Sequence, residues 1–205
     1  MAPARTSSPS APKLGLRERK KIRTRQAIRQ AAYRLFAEQG YDSTPVDQIA
    51  EAAEVSPSTV FRYFPTKEDI VLADGHDPVT VAALRGRPAD EPPVRAVREA
   101  LYSTVGEAYR TDPSEMYLRA RLIRDVPAVR ARLAEHTETT GRRLREVLSE
   151  RTGRPEGDLA LRVATTAMLG GLTEAMLHWV ENDMPGDLAE QVGRALDLLE
   201  RGLPL

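Results

Sequence analysis

The segment VSPSTVFRYFPTKE, residues 55–68, concentrates side chains that can bind a polar or aromatic partner outside the chain. Hydroxyls and a guanidinium can form hydrogen bonds to phosphates or base edges, and an aromatic edge can meet a thymine methyl group. Three aromatic residues lie here, although aromatics make up only 5% of the chain. The first question is which of these side chains belong to a core and which to a contact surface.

Helical geometry divides the segment, because successive residues of a helix are about 100° apart. The side expected to face the core holds Val60, Tyr63 and Phe64. The opposite side holds Ser58 and Arg62, with Thr59 and Phe61 on the flanks. Phe61 has three possible roles: a thymine-facing edge, a brace against the nucleic-acid backbone, or a packing partner of the preceding long helix.

The formal net charge of zero hides a division of charge along the chain. Residues 13–67 contain 11 Lys or Arg and six Asp or Glu, whereas residues 68–205 contain 18 and 24. A basic segment on an acidic body is typical of a unit that binds nucleic acid or an anionic membrane surface. The alternative is a solvated basic face without a partner.

Composition excludes several kinds of chemistry. No cysteine is present, so the chain has no disulfide, thiolate metal site or cysteine nucleophile. The three histidines are far apart in sequence and no Gly-rich phosphate loop occurs, so a helical enzyme is the weakest alternative and no cofactor is expected. DGHD, residues 74–77, could contribute to a metal site, but caps and turns use the same residue types. No signal peptide or apolar span is evident, which predicts a cytoplasmic protein without membrane contact.

The elements that position these residues are predicted to be helices throughout, because helical spacing recurs and strand-like alternation is missing. Thr44, Ser56 and Thr66 are expected to cap the second, third and fourth helices. The first three helices form a head with a helix-turn-helix arrangement. The predicted helices cover 17–39, 45–53, 57–64, a fourth after Thr66, 78–85, 93–110, 113–124, 127–151, 156–181 and 186–201.

The penultimate helix is apolar nearly all round and carries small residues, and the last helix has a narrower apolar seam. This pattern is typical of a helical bundle shared between two subunits. The alternative is a helix that is entirely internal to one subunit.

Residues 27–71, AIRQAAYRLFAEQGYDSTPVDQIAEAAEVSPSTVFRYFPTKEDIV, resemble the DNA-binding domain of the TetR family of transcriptional regulators. The resemblance implies an all-α homodimer whose N-terminal head binds a palindromic operator in double-stranded DNA. It also implies a C-terminal domain that binds a small molecule and dimerises through its last two helices, usually with repression relieved by that ligand. The domains expected are an arm at 1–12, the head at 13–67, and an effector-binding and dimerisation body at 68–205.

The resemblance also assigns DNA-contacting residues, and the basic start of the first helix adds to them. Matching the recognition helix are Ser58, Thr59, Phe61, Arg62 and Tyr63. Matching phosphate contacts are Thr44 and Lys67, to which the charge pattern adds Arg19, Lys20, Lys21 and Arg23. Two positions depart from the family pattern. Glu54 stands where glycine is common, so the turn either avoids a positive φ or stores modest strain. Phe61 stands where tyrosine is frequent.

The effector site is predicted from aromatic and soft apolar residues that suit a ligand pocket, with Arg121 or His178 as the anchor for an anionic or polar group. These residues are Tyr102, Tyr109, Met116, Tyr117, Arg121, Met168, Met176 and Trp179. Ordinary core packing is the alternative for each. Residues 117–153 resemble a segment of actinobacterial family members, some of which respond to acyl-coenzyme A thioesters, so the effector is expected to be an acyl thioester or another hydrophobic ligand. A DNA-binding regulator without an effector is the remaining alternative.

Overall fold

A computed structural model describes residues 15–73, 77–182 and 186–204. Within these ranges the chain forms helices and no strand, which confirms the all-α prediction. The expected arm at 1–12 lies outside the described residues. The helices are α1 (Leu16–Gln39), α2 (Val46–Ala52), α3 (Pro57–Tyr63), α4 (Lys67–Leu72), α5 (Asp77–Arg85), α6 (Pro93–Thr111), α7 (Pro113–Asp125), α8 (Pro127–Thr152), α9 (Leu159–Glu181) and α10 (Leu188–Glu200).

Local sequence accounts for the starts of α3 and α4. The Ser56 hydroxyl accepts a hydrogen bond from the Thr59 backbone N–H, and Pro57 occupies the first helical turn. Thr66 and Asp69 form a reciprocal capping box, in which each side chain accepts from the other residue's backbone N–H. Both predicted caps are confirmed.

The prediction that Thr44 caps α2 is wrong. α2 begins at Val46 with Pro45 as its N-cap residue, and no side chain caps it. The Thr44 hydroxyl instead donates to the carbonyl oxygen of Gly40 at 2.7 Å. Because Gly40 ends α1 with φ +87°, the chain turns back and brings Thr44 against the unsatisfied carbonyls of that helix end.

The core of the head continues into the C-terminal body through α4. Ile28, Ile49, Val60 and Phe64 are almost fully buried in one cluster that also contains Ile70, Val71 and Leu72 of α4. The same cluster includes Leu122, Ile123 and Val129 from α7 and α8. The six-residue α4 is therefore packed by the head on one side and by the body on the other.

A second cluster forms the core of the body and is centred on Trp179 of α9, which is completely buried. Its indole N–H donates to the Gly186 carbonyl oxygen at 3.2 Å, which ties α9 to the start of α10. α9 begins at Leu159, three residues later than predicted, because Asp158 accepts from the backbone N–H groups of Ala160 and Leu161 and so fixes the first turn.

One face of α9 lies open to solvent in the single chain. Leu159 and Val163 are 74% and 58% exposed, and Ala167 and Gly170 continue the same face. The alternative of an entirely internal helix is therefore wrong for α9. In the described part of the chain, no helix combines the length and the apolar character needed to cross a bilayer.

Candidate nucleic-acid interface and effector cavity

The two faces of α3 separate as its helical geometry predicts. Val60 and Phe64 are each 1% exposed, whereas Phe61 is 49% exposed and Ser58 and Arg62 lie on the surface. Tyr63 is half-buried against the core of the head, and the Arg62 guanidinium lies 5.5 Å from its ring centroid. Of the three roles considered for Phe61, packing against α1 is the one that its exposure disfavours.

Three hydroxyls cluster at the start of α3. The Ser56 oxygen lies 2.9 Å from the hydroxyl oxygens of both Ser58 and Thr59. Each hydroxyl can donate one hydrogen and accept two, so the group retains capacity for bonds to phosphate oxygens or base edges. Thr59 itself is half-buried, which leaves Ser58 as the more accessible of the two predicted contacts.

The turn between α2 and α3 is strained at Glu54, which is one of the two outcomes expected from the sequence. Glu54 has φ +54°, in the left-handed region that non-glycine residues rarely adopt. The turn closes through hydrogen bonds from the Glu54 N–H to the Glu51 carbonyl and from the Val55 N–H to the Ala50 carbonyl. The glutamate side chain is exposed and next to the start of α3.

The first turns of α1 form a basic surface. Arg19, Lys20, Lys21 and Arg23 are all exposed, as are Arg17 and Arg25 around them. Arg25 also lies over the Phe64 ring, 4.8 Å from its centroid, so this end of α1 packs across the end of α3. The basic turns of α1 therefore lie close to the C-terminal end of α3.

The two predicted phosphate contacts outside α3 and α1 have different environments. Thr44 is completely buried and its hydroxyl is engaged with the end of α1, so this side chain is not accessible to a phosphate. The prediction that the Thr44 side chain contacts phosphate is therefore not supported by its burial. Lys67 is half-buried; its ammonium donates to the carbonyl oxygens of Tyr41 and Thr44, at 2.8 and 3.2 Å, and lies over the Tyr41 ring.

Tyr41 and Glu68 complete this corner of the head. The Tyr41 hydroxyl donates to the Glu68 carboxylate at 2.8 Å. Burial, the hydrogen bond to Glu68 and the nearby negative charge all raise the pKa of Tyr41 above its ordinary value. Burial alone would raise the pKa of Glu68, but hydrogen bonds from its backbone, Tyr41 and Thr66 outweigh it and lower the pKa. The Tyr41 phenol therefore stays protonated while Glu68 stays ionised.

The body contains a largely apolar cavity of about 190 Å³ between α5, α6, α7, α8, α9 and α10. Met116 and Met176 are the two predicted effector residues that line it. The apolar lining also includes Val81, Leu84, Val97, Leu101, Val105, Ile123, Leu133, Leu144, Leu169, Leu172, Leu188 and Val192.

The other six predicted effector residues do not line this cavity. Tyr109 and Trp179 pack edge to face in the body core, and Met168 is buried in the same cluster. Tyr117 is half-buried beneath the exposed Arg121, whose guanidinium also approaches Asp125. Tyr102 lies in a separate polar groove, together with Arg98, Glu190 and Arg194. For these residues the core or surface alternative describes their placement.

Helix α8 supplies cavity residues that are absent from the predicted effector site. Leu133, His136, Thr137, Thr140, Arg143 and Leu144 all line the cavity from this helix. Their spacing follows one helical face, but α8 is so rich in charged residues that its sequence indicates a solvated helix. A helical stripe of Leu, Thr and His within a charged helix is the signal that could have revealed the face.

Arg119 of α7 connects the cavity to the head. Its guanidinium donates to the carbonyl oxygens of Val71 and Leu72, at 3.2 and 3.3 Å, and the residue is also part of the cavity lining. The Tyr33 hydroxyl of α1 donates to the same Val71 carbonyl at 3.1 Å. The end of α4 is therefore bound by one residue from the head and one from the wall of the cavity.

Two ion pairs reinforce this junction. Arg29 of α1 pairs with Glu115 of α7 at 2.8 Å, and Arg132 of α8 makes a two-pronged pair with Asp69 of α4. Burial raises the pKa of Asp69, but the hydrogen bonds from Arg132 and Thr66 outweigh it, so the net pKa lies below its ordinary value. Asp69 therefore joins the capping box of α4 to the body.

No metal site is visible in the part of the chain that the structure describes, where no three His, Asp or Glu side chains gather. Residues 74–76 of the DGHD segment lie outside the described residues.

Comparison with known proteins gives matches at both ends of the chain. Residues 28–73 match the family described as "Bacterial regulatory proteins, tetR family", and residues 91–204 match the "MftR C-terminal domain". A similar relative is the HTH-type transcriptional regulator TcmR of Streptomyces glaucescens, 37% identical over 158 residues that cover 74% of this chain and 69% of TcmR.

Two solved structures have the same fold. Thermus thermophilus FadR, a transcriptional repressor in complex with lauroyl-CoA, is 26% identical with a TM-score of 0.55, covering 88% of this chain and 95% of FadR. The fatty acid degradation regulator FadR from Bacillus halodurans has a TM-score of 0.59 at 24% identity, covering 94% and 99%, which shows the fold alone. The chain belongs to the TetR family and is a DNA-binding transcriptional regulator with an N-terminal helix-turn-helix head.

Proposed function

We propose that this regulator is a homodimeric repressor that leaves a palindromic operator when a small hydrophobic molecule binds the cavity in its body. The head is taken as residues 13–67 and the body as 68–205, with α4 between them. The effector would favour a head separation that no longer matches the two half-sites. This role places the protein in the cytoplasm, with the DNA.

The position of Arg119 is the observation that carries the proposal. It lines the cavity and bonds the last carbonyls of α4, while Asp69 of the same helix is paired to α8. A ligand that displaces the Arg119 guanidinium removes hydrogen bonds from α4, the element through which the head is attached. Only a ligand that binds the two arrangements with different affinity can shift their populations.

The open face of α9 supports the dimer. Leu159, Val163, Ala167 and Gly170 form an apolar face with small residues, and Leu198 of α10 is exposed as well. Pairing such a face with its copy would remove apolar surface from water and give the two heads twofold symmetry. A palindromic operator matches that symmetry.

DNA recognition is tested by replacing Arg62 with Ala and with Lys, with fluorescence anisotropy on DNA from upstream of the gene. Arg62→Ala should reduce discrimination against altered operators by about 1–3 kcal/mol, and Arg62→Lys should restore charge but not two-pronged base recognition. Lys20→Ala is the control, because its loss should weaken all DNA sequences alike. Equal effects of Arg62→Ala and Lys20→Ala on operator and unrelated DNA would contradict the assignment.

Effector control is tested with Arg119→Met, which keeps an apolar stem but removes the guanidinium. The variant lacks the bonds to α4 whose loss is proposed to release the operator. We therefore expect it to bind the operator more weakly without ligand and to lose most of its further response to any ligand that releases the unaltered protein. Arg121→Met is the matched control, because Arg121 is exposed on the same helix and does not line the cavity. An unchanged response in Arg119→Met would refute coupling through this residue. If metabolites and acyl thioesters all fail to release the operator, the effector-independent alternative is favoured.

A further inference from the structure

One solvent-shielded hydroxyl in the cavity wall, within the described part of the chain, makes no hydrogen bond. The Thr140 hydroxyl oxygen is shielded from solvent and has no partner, and Thr140 lines the cavity from α8. Leaving a buried hydroxyl unpaired is costly, so native proteins usually pair such groups with protein or a bound molecule. An unpaired hydroxyl in a cavity wall indicates where a polar group of a ligand binds.

Other helical threonines in this chain show the bond that Thr140 does not make. Thr139, Thr165 and Thr173 each donate to the carbonyl oxygen four residues earlier, at 2.8–3.1 Å. Thr173 makes this bond although it lines the same cavity from α9. In a regular helix the carbonyl oxygen four residues earlier is equally available to Thr140. The Thr140 hydroxyl nevertheless does not donate to it.

The charge of the wall indicates which polar group suits Thr140. Two arginines, Arg119 and Arg143, line the cavity, and no Asp or Glu is found among its described lining residues. His136 and Thr137 lie on the same face of α8 as Thr140. A positively charged wall with a hydroxyl donor favours an oxygen acceptor and disfavours a ligand cation.

The size of the cavity limits the apolar part of the ligand. Its volume of about 190 Å³ is somewhat larger than the roughly 150 Å³ apolar cavity known to hold benzene. A single ring or a short acyl chain fits this space, whereas a long acyl chain requires the helices to move apart.

We propose that the cavity takes a compact apolar molecule bearing a carbonyl or carboxylate oxygen, and that Thr140 donates its hydroxyl hydrogen to that oxygen. This inference rests on the proposed effector role of the cavity and names the chemistry of its ligand. The oxygen can belong to a free carboxylic acid or to the thioester of the same acyl group.

The test compares Thr140→Val with Thr173→Val in the full-length protein. Both changes replace a hydroxyl in the cavity wall by a methyl group, but only Thr173 already has a hydrogen-bond partner. Octanoate, octanoyl-coenzyme A and octylamine serve as probes, with binding measured by calorimetry and by release of operator DNA. Thr140→Val should raise the thermal midpoint of the ligand-free protein and weaken binding of the oxygen-bearing probe about tenfold. Thr173→Val should change that binding by less than threefold.

The probes distinguish the two sources of the oxygen. Tighter binding of octanoate assigns the free acid, tighter binding of the thioester assigns the acyl-coenzyme A form, and octylamine should bind most weakly of the three. The inference is overturned if octylamine binds best, if no oxygen-bearing probe binds, or if Thr140→Val binds the acid and thioester as the unaltered protein does. Equal losses in Thr140→Val and Thr173→Val also overturn it, since they indicate altered packing alone. Operator binding without ligand should be unchanged in both variants. A loss of operator binding would count against the proposed DNA-binding function and not against the proposed ligand chemistry.

Discussion

Glu54 is a residue at which backbone conformation and charge act together. Its positive φ places a non-glycine residue in the left-handed region at the turn that orients α3. That conformation costs about 1–2 kcal/mol relative to the right-handed one. The exposed carboxylate also adds a negative charge beside the start of α3, the predicted DNA-contacting helix.

Glu54→Gly and Glu54→Gln separate the two effects. Both variants remove the charge and should bind operator DNA more tightly at low salt, by up to about threefold, because two like unit charges about 7 Å apart in water repel by about 0.6 kcal/mol. Only Glu54→Gly also relieves the backbone strain. Because glycine gives the unfolded chain more conformational freedom, the net gain in the free energy of unfolding should be about 0–1 kcal/mol. Chemical denaturation and anisotropy titrations measure the two quantities. A similar stability gain in Glu54→Gln would argue against backbone strain.

Sequence predicts single residues well where helix phase decides their position. Val60 and Phe64 are buried and Arg62 is exposed because a seven-residue helix between two prolines has little freedom in its phase. A threonine before a proline is typical of a helix N-cap, but the Thr44 hydroxyl is also within reach of the free carbonyls at the end of α1. It bonds to one of them instead of capping α2, so the prediction for Thr44 is wrong. That competition depends on how the chain turns at Gly40, which a local sequence motif does not encode.

At the scale of elements, α4 is the connection between the head and the body. Its apolar residues are buried in the shared core, and Asp69 is bound by Arg132 of α8. The pKa of Asp69 is lowered in the folded protein, because the hydrogen bonds from Arg132 and Thr66 outweigh the effect of burial. The pair therefore contributes stability above the unfolded-state pKa of Asp, and this contribution is lost as pH falls through the lower folded-state pKa.

Arg132→Met should consequently destabilise the protein at pH 7 and have a smaller effect near pH 3. Thermal unfolding of the variant and the unaltered protein across this range measures the difference. Arg130→Met is a suitable control, because Arg130 is exposed on the same helix. A difference between Arg132→Met and the unaltered protein that does not change between pH 7 and pH 3 would mean that the pair contributes through packing instead of charge.

The cavity is harder to predict from sequence than the helices around it. α9 is apolar on nearly every side, so its sequence does not indicate which side faces the cavity. The sequence therefore predicts Met168 as a lining residue, whereas Leu169, Leu172 and Thr173 line the cavity and Met168 is buried in the core. α8 has the opposite pattern: it is rich in charged residues, so its sequence does not reveal that one of its faces lines the cavity. Which face of a helix is internal depends on its neighbours, and the neighbours of α8 and α9 are far apart in sequence.

At the scale of the whole molecule, the proposed dimer depends on the open face of α9. Among the described residues, apart from the adjacent residues and backbone of α9 itself, no heavy atom lies within 4 Å of a methyl carbon placed on Gly170. Gly170→Gln should therefore stabilise the single chain by about 0.5–1 kcal/mol through helix propensity. If Gly170 lies in a packed dimer interface, the larger side chain should instead weaken dimerisation by about 1–3 kcal/mol through overpacking. Sedimentation at several concentrations measures association, and undiminished dimerisation would place the interface elsewhere.

Charge is also distributed on the scale of the molecule. The two heads of a dimer present enough basic residues in α1 to neutralise about 6–10 phosphates, so operator affinity should fall by about 10³–10⁵ between 50 and 200 mM salt. Replacing Lys20 and Lys21 by Ala should make the slope of log affinity against log salt shallower by about 1 for each phosphate that is no longer neutralised. Anisotropy titrations at several salt concentrations measure the slope, and an unchanged slope would exclude these lysines from the DNA interface.

The bonds that Arg119 and Tyr33 make to α4 end on backbone carbonyls, which every residue carries whatever its side chain. These hydrogen bonds therefore impose little requirement on the side chains of Val71 and Leu72 beyond their burial. A head from a relative with another recognition helix, grafted ahead of the body at α4, should therefore still accept the hydrogen bonds from Arg119. A graft that keeps Tyr33 and Arg29 also retains the hydrogen bond to α4 and the ion pair with α7. Operator choice and ligand choice can then be exchanged separately, as interchangeable parts of a genetic sensor.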